Sequence, residues 1–221
     1  MMHTARDITA YRLTENDRGI SNPYLMEVIE FFKGPVFKVG ERDIRIAEKR
    51  AEFIHTYAFA IPTSDIISLI AGHSPIIEIG AGAGYWAWCL HQSGAVIKAV
   101  DSNPPDEGAP WDWQARNPWF DDTWYSVFEG DEYSAAEYPD RALFLCWPPP
   151  SNPMASRSLS EYRRAGGHTL IYLGDPGSSG DEEFHREREQ LRLLGKRKTW
   201  SWPGIDEYLF IYSMELSSEK A

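Results

Sequence analysis

Glu78, Gly80, Gly82, Gly84 and Asp101 have the residue types and the spacing to hold a ligand. The three glycines alternate within Ile76-Ile77-Glu78-Ile79-Gly80-Ala81-Gly82-Ala83-Gly84-Tyr85-Trp86. The isoleucine-rich run ahead of them predicts a buried strand, and the stretch from Tyr85 to Gln92 predicts a helix. Glycines between the two let the backbone turn sharply and let a ligand lie against it without meeting a Cβ. Val96 to Val100 predicts a second strand, with Asp101 at its carboxyl end. Nucleotide-binding βαβ units carry a ribose-binding carboxylate at about this place, ~20 residues after the glycines.

The spacing separates two ligand classes. A dinucleotide fingerprint reads G-x-G-x-x-G. Here the third glycine comes one residue early, and Glu78 stands two residues before the first. This run resembles the first motif of the class I S-adenosylmethionine-dependent methyltransferases, E/D-x-G-x-G-x-G. The resemblance implies S-adenosylmethionine as cofactor, with Gly80, Gly82 and Gly84 under its methionine part, Asp101 on its ribose and Glu78 also among the cofactor-binding residues. It also implies an acidic residue after the third strand on the adenine amino group. Asp131 matches that position and would equally suit a polar turn cap.

The segment Leu145-Cys146-Trp147-Pro148-Pro149-Pro150 ends the fourth expected strand, where open α/β sheets bind ligands. It resembles the D/N/S-P-P-Y/F/W motif of amino-group methyltransferases, but Trp147 replaces the polar residue and Pro150 the aromatic. An indole nitrogen only donates, so any grip on an acceptor nitrogen passes to the carbonyls of Cys146 and Trp147. Trp147, Pro148 and Pro149 are therefore the expected catalytic segment, with Cys146 against the cofactor. His55 is the histidine placed to serve as a base, or else a structural histidine. The resemblance makes Tyr57 a lid residue, because the segment before the first strand often folds over the cofactor in such enzymes. Asp175, after the fifth strand, reads as a substrate contact or a helix cap.

The elements that must position these residues alternate strand and helix from residue 75 onward, the pattern of a mostly parallel sheet covered on both faces. Strands are expected at Ile76–Ile79, Val96–Val100, Tyr125–Glu129, Ala142–Trp147, Thr169–Leu173, Arg197–Trp202 and Tyr208–Met214. The last two are too close in sequence to be parallel. A helix is expected over Asp181–Leu194, marked by Phe184, Leu191 and Leu194. Further helices are expected at Pro23–Phe32, Glu41–Ala60 and Asp65–Ala71 ahead of the sheet. The resemblance gives the whole a Rossmann-like, doubly wound α/β architecture with a seven-stranded sheet and a C-terminal antiparallel hairpin. It divides the chain into an N-terminal helical extension or lid over 1–63 and a core domain over 64–221. Residues 103–122, rich in proline and tryptophan and without helical period, read as a cover over the acceptor side.

The chain has 221 residues, 43% of them hydrophobic, and a net charge of −11, which suits a globular fold and opposes the binding of long polyanions. Cys89 and Cys146 sit in apolar stretches and read as reduced thiols. No apolar leader or membrane-length run is present in the sequence, so a cytoplasmic protein is expected. No metal-ligand spacing is seen. The reading is an S-adenosylmethionine-dependent methyltransferase acting on a small, planar or apolar acceptor. The alternatives are a non-catalytic S-adenosylmethionine-binding protein and an amino-group methyltransferase acting on nucleic acid or protein. A Rossmann-like dehydrogenase is disfavoured by the early third glycine.

Overall fold

Short apolar runs punctuated by Gly, Pro and Asp become the strands of one seven-stranded sheet. The computed structural model describes residues 6–34, 41–105, 117, 119–120 and 123–216. In chain order these form α1 (Glu15–Arg18), α2 (Pro23–Lys33), α3 (Arg42–Thr56), α4 (Ser64–Ala71), β1 (Ile76–Ile79), α5 (Tyr85–Gln92) and β2 (Ile97–Asp101). Then follow β3 (Val127–Glu129), β4 (Ala142–Cys146), α6 (Met154–Arg164), β5 (Thr169–Gly174), α7 (Glu182–Arg188), β6 (Leu191–Lys198) and β7 (Tyr208–Leu216). Short 3-10 turns precede α1 and follow β3.

The strand order is β3-β2-β1-β4-β5-β7-β6. β1 to β5 pair in parallel, and β7 runs antiparallel to both of its neighbours. The chain leaves β1 toward β2 and later returns to place β4 on its other side. The carboxyl ends of β1 and β4 therefore flank the point where winding reverses, which is where such sheets open a crevice. All four residues of β1 are buried, as in a central parallel strand covered on both faces. Glu78 is one of them, and its burial demands an explanation.

Two cores cover the sheet. On one face Ile66, Ile67 and Ile70 of α4 and Leu90 of α5 pack with Tyr24 and Leu25 of α2 and Phe53 of α3. On the other, Leu159 and Tyr162 of α6 and Phe184 of α7 pack on Leu143, Leu170 and Tyr172. The N-terminal helices thus share a core with α4 and α5. Polar ties hold them there. The buried Asp17 carboxylate accepts from Tyr11 Oη at 2.6 Å, Thr14 N at 2.8 Å and Ser64 N at 2.9 Å. Burial alone would raise its pKa, but the hydrogen bonds from Tyr11 and Thr14 outweigh this and hold it at about 2. The Asn22 amide donates to Pro62 O at 2.6 Å, and its oxygen accepts from Tyr85 Oη at 2.8 Å.

The C-terminal part departs from expectation. The helix expected over Asp181–Leu194 stops at Arg188, and Leu191 and Leu194 belong to β6. Leu191 falls seven residues after Phe184, so it imitates a helical stripe. Pairing with β7 along Leu191 to Lys198 overrides that local pattern, and the strand expected at Arg197–Trp202 lies earlier in the chain. The antiparallel hairpin itself is as expected. Much of the expected cover, at 106–116, 118 and 121–122, lies outside the described residues. Among the described residues no helix is long and apolar enough to cross a membrane, and no group of His, Cys, Asp or Glu is placed to hold a metal ion.

Candidate cofactor and acceptor site

A cleft of about 560 Å³ opens at the carboxyl ends of β1, β2 and β4. Its floor is the turn between β1 and α5. Gly80, Gly82 and Gly84 hold φ of 74°, 55° and 72°, a left-handed backbone that side chains disfavour. The turn uses its own amides. Gly80 N and Ala81 N donate to Val100 O at 2.9 and 3.0 Å, Gly84 N donates to Ala81 O at 2.9 Å, and Gly82 N donates to Asp101 Oδ2 at 2.8 Å. A phosphate cradle needs such amides free and convergent, and these four are already engaged.

Gly80 and Ala81 line the cleft. A Cβ at Gly80 would lie 2.5 Å from Met154 Cε. Gly82 and Gly84 are not on the cleft wall. The Phe120 ring covers Gly82, where a Cβ would come within 2.2 Å of it, and Val127 and Tyr125 cover Gly84. Their role is to shape the turn and present Asp101. The Asp101 carboxylate reaches the cleft, and its other oxygen accepts from Asn103 N at 2.9 Å. Each oxygen keeps a lone pair for a further donor. Asp131 lines the same cleft and caps its own turn through Tyr133 N at 3.0 Å.

Glu78 is the unusual group. It is 1% exposed, it borders the cleft, and its Oε2 has no hydrogen-bond partner. Burial, and then the charge of Asp101, push its pKa up to about 8. Cys146 stands beside it at the end of β4, its thiol pushed up by burial and then by Glu78.

The side of the cleft at the end of β4 is aromatic. Trp147 adopts φ 50°, a conformation that costs a bulky residue about 1–3 kcal/mol and needs support. Its backbone N donates to Leu173 O at 2.8 Å, and its Nε1 donates to the buried Glu207 Oε2 at 2.5 Å. The fixed indole stacks on Phe59 at 5.8 Å, and Trp119 meets Phe59 edge-on at 5.5 Å. Arg50 lies over the indole at 5.4 Å. Pro148 and Pro149 line the cleft, but the Pro148 carbonyl already accepts from Gly180 N at 2.7 Å.

Two expected site residues lie elsewhere. His55 is exposed on α3 and does not line the cleft, because it points away from the buried stripe of that helix. Tyr57 is buried against Tyr24 at 5.0 Å and donates to Glu27 Oε1 at 2.8 Å; Phe59, two residues on, takes the place beside the cleft. Asp175 accepts from Gly177 N at 2.9 Å and Asp206 N at 3.2 Å, the behaviour of a loop cap. Arg50 and Glu207 escaped the sequence reading. Arg50 had a visible mark, since it interrupts the buried face of α3 between Ile46 and Phe53. Glu207 had none, because its partner Trp147 is 60 residues away.

No family model and no curated protein matches the chain. Among solved structures it is similar to magnesium protoporphyrin IX methyltransferase of Synechocystis PCC 6803 with bound SAM, at 14% identity over 82% of this chain and 86% of that one, with a TM-score of 0.44. A putative tRNA methyltransferase of Streptococcus pneumoniae, in complex with S-adenosyl-L-methionine, shows 12% identity over 72% and 78%, with a TM-score of 0.43. Human N-acetylserotonin methyltransferase, in complex with SAM, shows 15% identity over 88% and 63%, with a TM-score of 0.42. Likeness at this level identifies no activity, and the fold rests on its own strand order. The fold is Rossmann-like and doubly wound, with the C-terminal antiparallel hairpin that was expected. Six strands run one way, β7 alone is reversed, and the reversal of winding falls at the glycine turn.

Proposed function

We propose that this chain binds S-adenosylmethionine and transfers its methyl group to a small, flat acceptor. One observation carries the reading. Glu78, a buried carboxyl whose Oε2 has no partner, opens on a cleft beside a turn in which the amides of Gly80, Ala81, Gly82 and Gly84 are already engaged. Such a site calls for a cation and offers a pyrophosphate little. S-adenosylmethionine carries an ammonium and a sulfonium, whereas a nicotinamide dinucleotide brings a dianionic pyrophosphate.

Glu78 would hold the ammonium, Asp101 the ribose hydroxyls and Asp131 the adenine edge. The cofactor, when bound, supplies a methyl group activated by its sulfonium. The chain's own work is orientation and exclusion of water, which suffices for an acceptor already nucleophilic. Trp147, Phe59 and Trp119 would stack a planar acceptor beside the cleft. The segment 1–63 would close that side as a wall or lid, and the net charge of −11 opposes a long nucleic acid as acceptor. Tight, salt-sensitive retention of DNA or RNA in a filter assay at low salt would contradict that last assignment.

Asp101→Ala is the direct test of cofactor placement. Loss of charge-assisted bonds to two hydroxyls is worth about 1.5–3 kcal/mol, so affinity for S-adenosylmethionine should fall roughly tenfold or more in a calorimetric titration. Asp101→Asn keeps an acceptor for Gly82 N and should lose less. Unchanged affinity in a folded Asp101→Ala protein contradicts the placement.

A further inference from the structure

Four buried side-chain polar atoms among the described residues lack a hydrogen-bond partner: Glu78 Oε2, Arg50 Nε, Trp86 Nε1 and Ser158 Oγ. Three of their residues, Glu78, Arg50 and Trp86, border the one cleft. Orphaned polar atoms are rare in folded proteins, and their concentration here marks a place that a ligand completes. Two of the three are charged, and the charges are opposite.

Arg50 comes from α3, outside the glycine turn and every strand end. Among the described residues no ion pair holds it. Its guanidinium lies over Trp147, a contact that steadies the plane of the fork, and among the described residues its Nε has no hydrogen-bond partner. The buried Glu207 carboxyl feels the charge of Arg50 but is held by Trp147 and Thr199, whereas a planar guanidinium matches a free carboxylate through two parallel hydrogen bonds. Glu78 asks for a cation in the same space. A ligand that answers both carries an ammonium and a carboxylate, as an α-amino acid group does.

We propose that Arg50 binds the carboxylate of the cofactor's methionine end, opposite Glu78 at its ammonium, so that the N-terminal helices complete the cofactor site. This rests on the cofactor reading above. An acceptor could also bring a carboxylate, and the choice of ligand separates the two.

The test is calorimetry on the full chain with S-adenosylmethionine and decarboxylated S-adenosylmethionine. Wild type should prefer the former by roughly tenfold or more. Arg50→Met keeps an apolar stem over Trp147 and removes the charge. It should bind S-adenosylmethionine roughly tenfold more weakly, bind the decarboxylated compound as wild type does, and so lose the preference. Arg50→Lys should retain part of it. Undiminished S-adenosylmethionine affinity in Arg50→Met overturns the assignment and leaves the guanidinium for an acceptor. Equal losses for both ligands also overturn it, since a structural role would not read the carboxylate. If wild type binds neither compound, the cofactor reading fails and this assignment falls with it.

Discussion

Glu78→Gln is expected to make the ligand-free protein more stable at pH 9 and to remove most of its affinity for S-adenosylmethionine. The carboxyl is buried, one oxygen is unpartnered, and its pKa rises from an ordinary 4.5 to about 8. A folded-state pKa above the unfolded one means that folding takes up a proton. The corresponding stability is complete below the unfolded value and is lost as pH rises through about 8. Glutamine is neutral throughout and does not lose it. Denaturant unfolding should show similar stabilities at pH 4.5 and a variant more stable by on the order of 2 kcal/mol at pH 9. The same carboxylate gives a cationic ligand its counter-charge, so its removal should weaken S-adenosylmethionine roughly a hundredfold. Binding to wild type should release a proton from Glu78 below pH 8, and calorimetry in buffers of different ionisation enthalpy reads that proton. A variant that is less stable at pH 9, or that binds as wild type does, contradicts the role given to this residue.

Glu207→Ala carries the second large effect, this time on the aromatic wall of the cleft. Glu207 is 1% exposed and accepts from both Trp147 Nε1 and Thr199 Oγ1, at 2.5 and 2.6 Å. Truncation strands the indole N–H, leaves a cavity and withdraws support from a backbone held at φ 50°. The combined cost should be roughly 3–5 kcal/mol. Glu207→Gln should be tolerated. Its amide oxygen can accept from Trp147 and its NH₂ can donate to Thr199 Oγ1, whose own proton can turn to Glu207 O, 3.2 Å away. Burial raises the Glu207 pKa to about 7, against the hydrogen bonds from Thr199 and Trp147 that lower it. Stability linked to its proton is therefore lost as pH rises from 4.5 through about 7. The glutamine variant should flatten that part of the profile. Chemical unfolding followed by tryptophan fluorescence measures both. A loss below about 1 kcal/mol for Glu207→Ala would show that the indole is not held this way.

The legible parts of the fold were those whose local sequence agrees with their tertiary setting. The strand from Ile76 to Ile79 lies between a proline and a glycine turn, all of its residues have strand character or a reason to be buried, and its bounds matched. The tie between Asp101 and the glycine turn was legible because its partner, Gly82 N, is near in sequence. The edge strand β6 was hidden because Leu191 continues the stripe of Phe184, and only pairing with β7 makes it a strand. Tyr57 and Phe59 show a finer limit. The segment before Pro62 does border the cleft, but which of two aromatics faces it depends on the exit from α3, where Tyr57 turns into the core against Tyr24 and Tyr85. Arg50 showed only as a break in the buried face of α3 and Glu207 not at all, because the Trp147 that each contacts is distant in sequence.

The central claim is that the cleft takes a cationic nucleoside and not a pyrophosphate dinucleotide. Titration of the wild-type chain at pH 8 with S-adenosylmethionine, S-adenosylhomocysteine and NAD tests it most directly. The account predicts saturable one-to-one binding of the first two and none of the third. Saturation by NAD, or no saturation by either sulfur nucleoside, would contradict it.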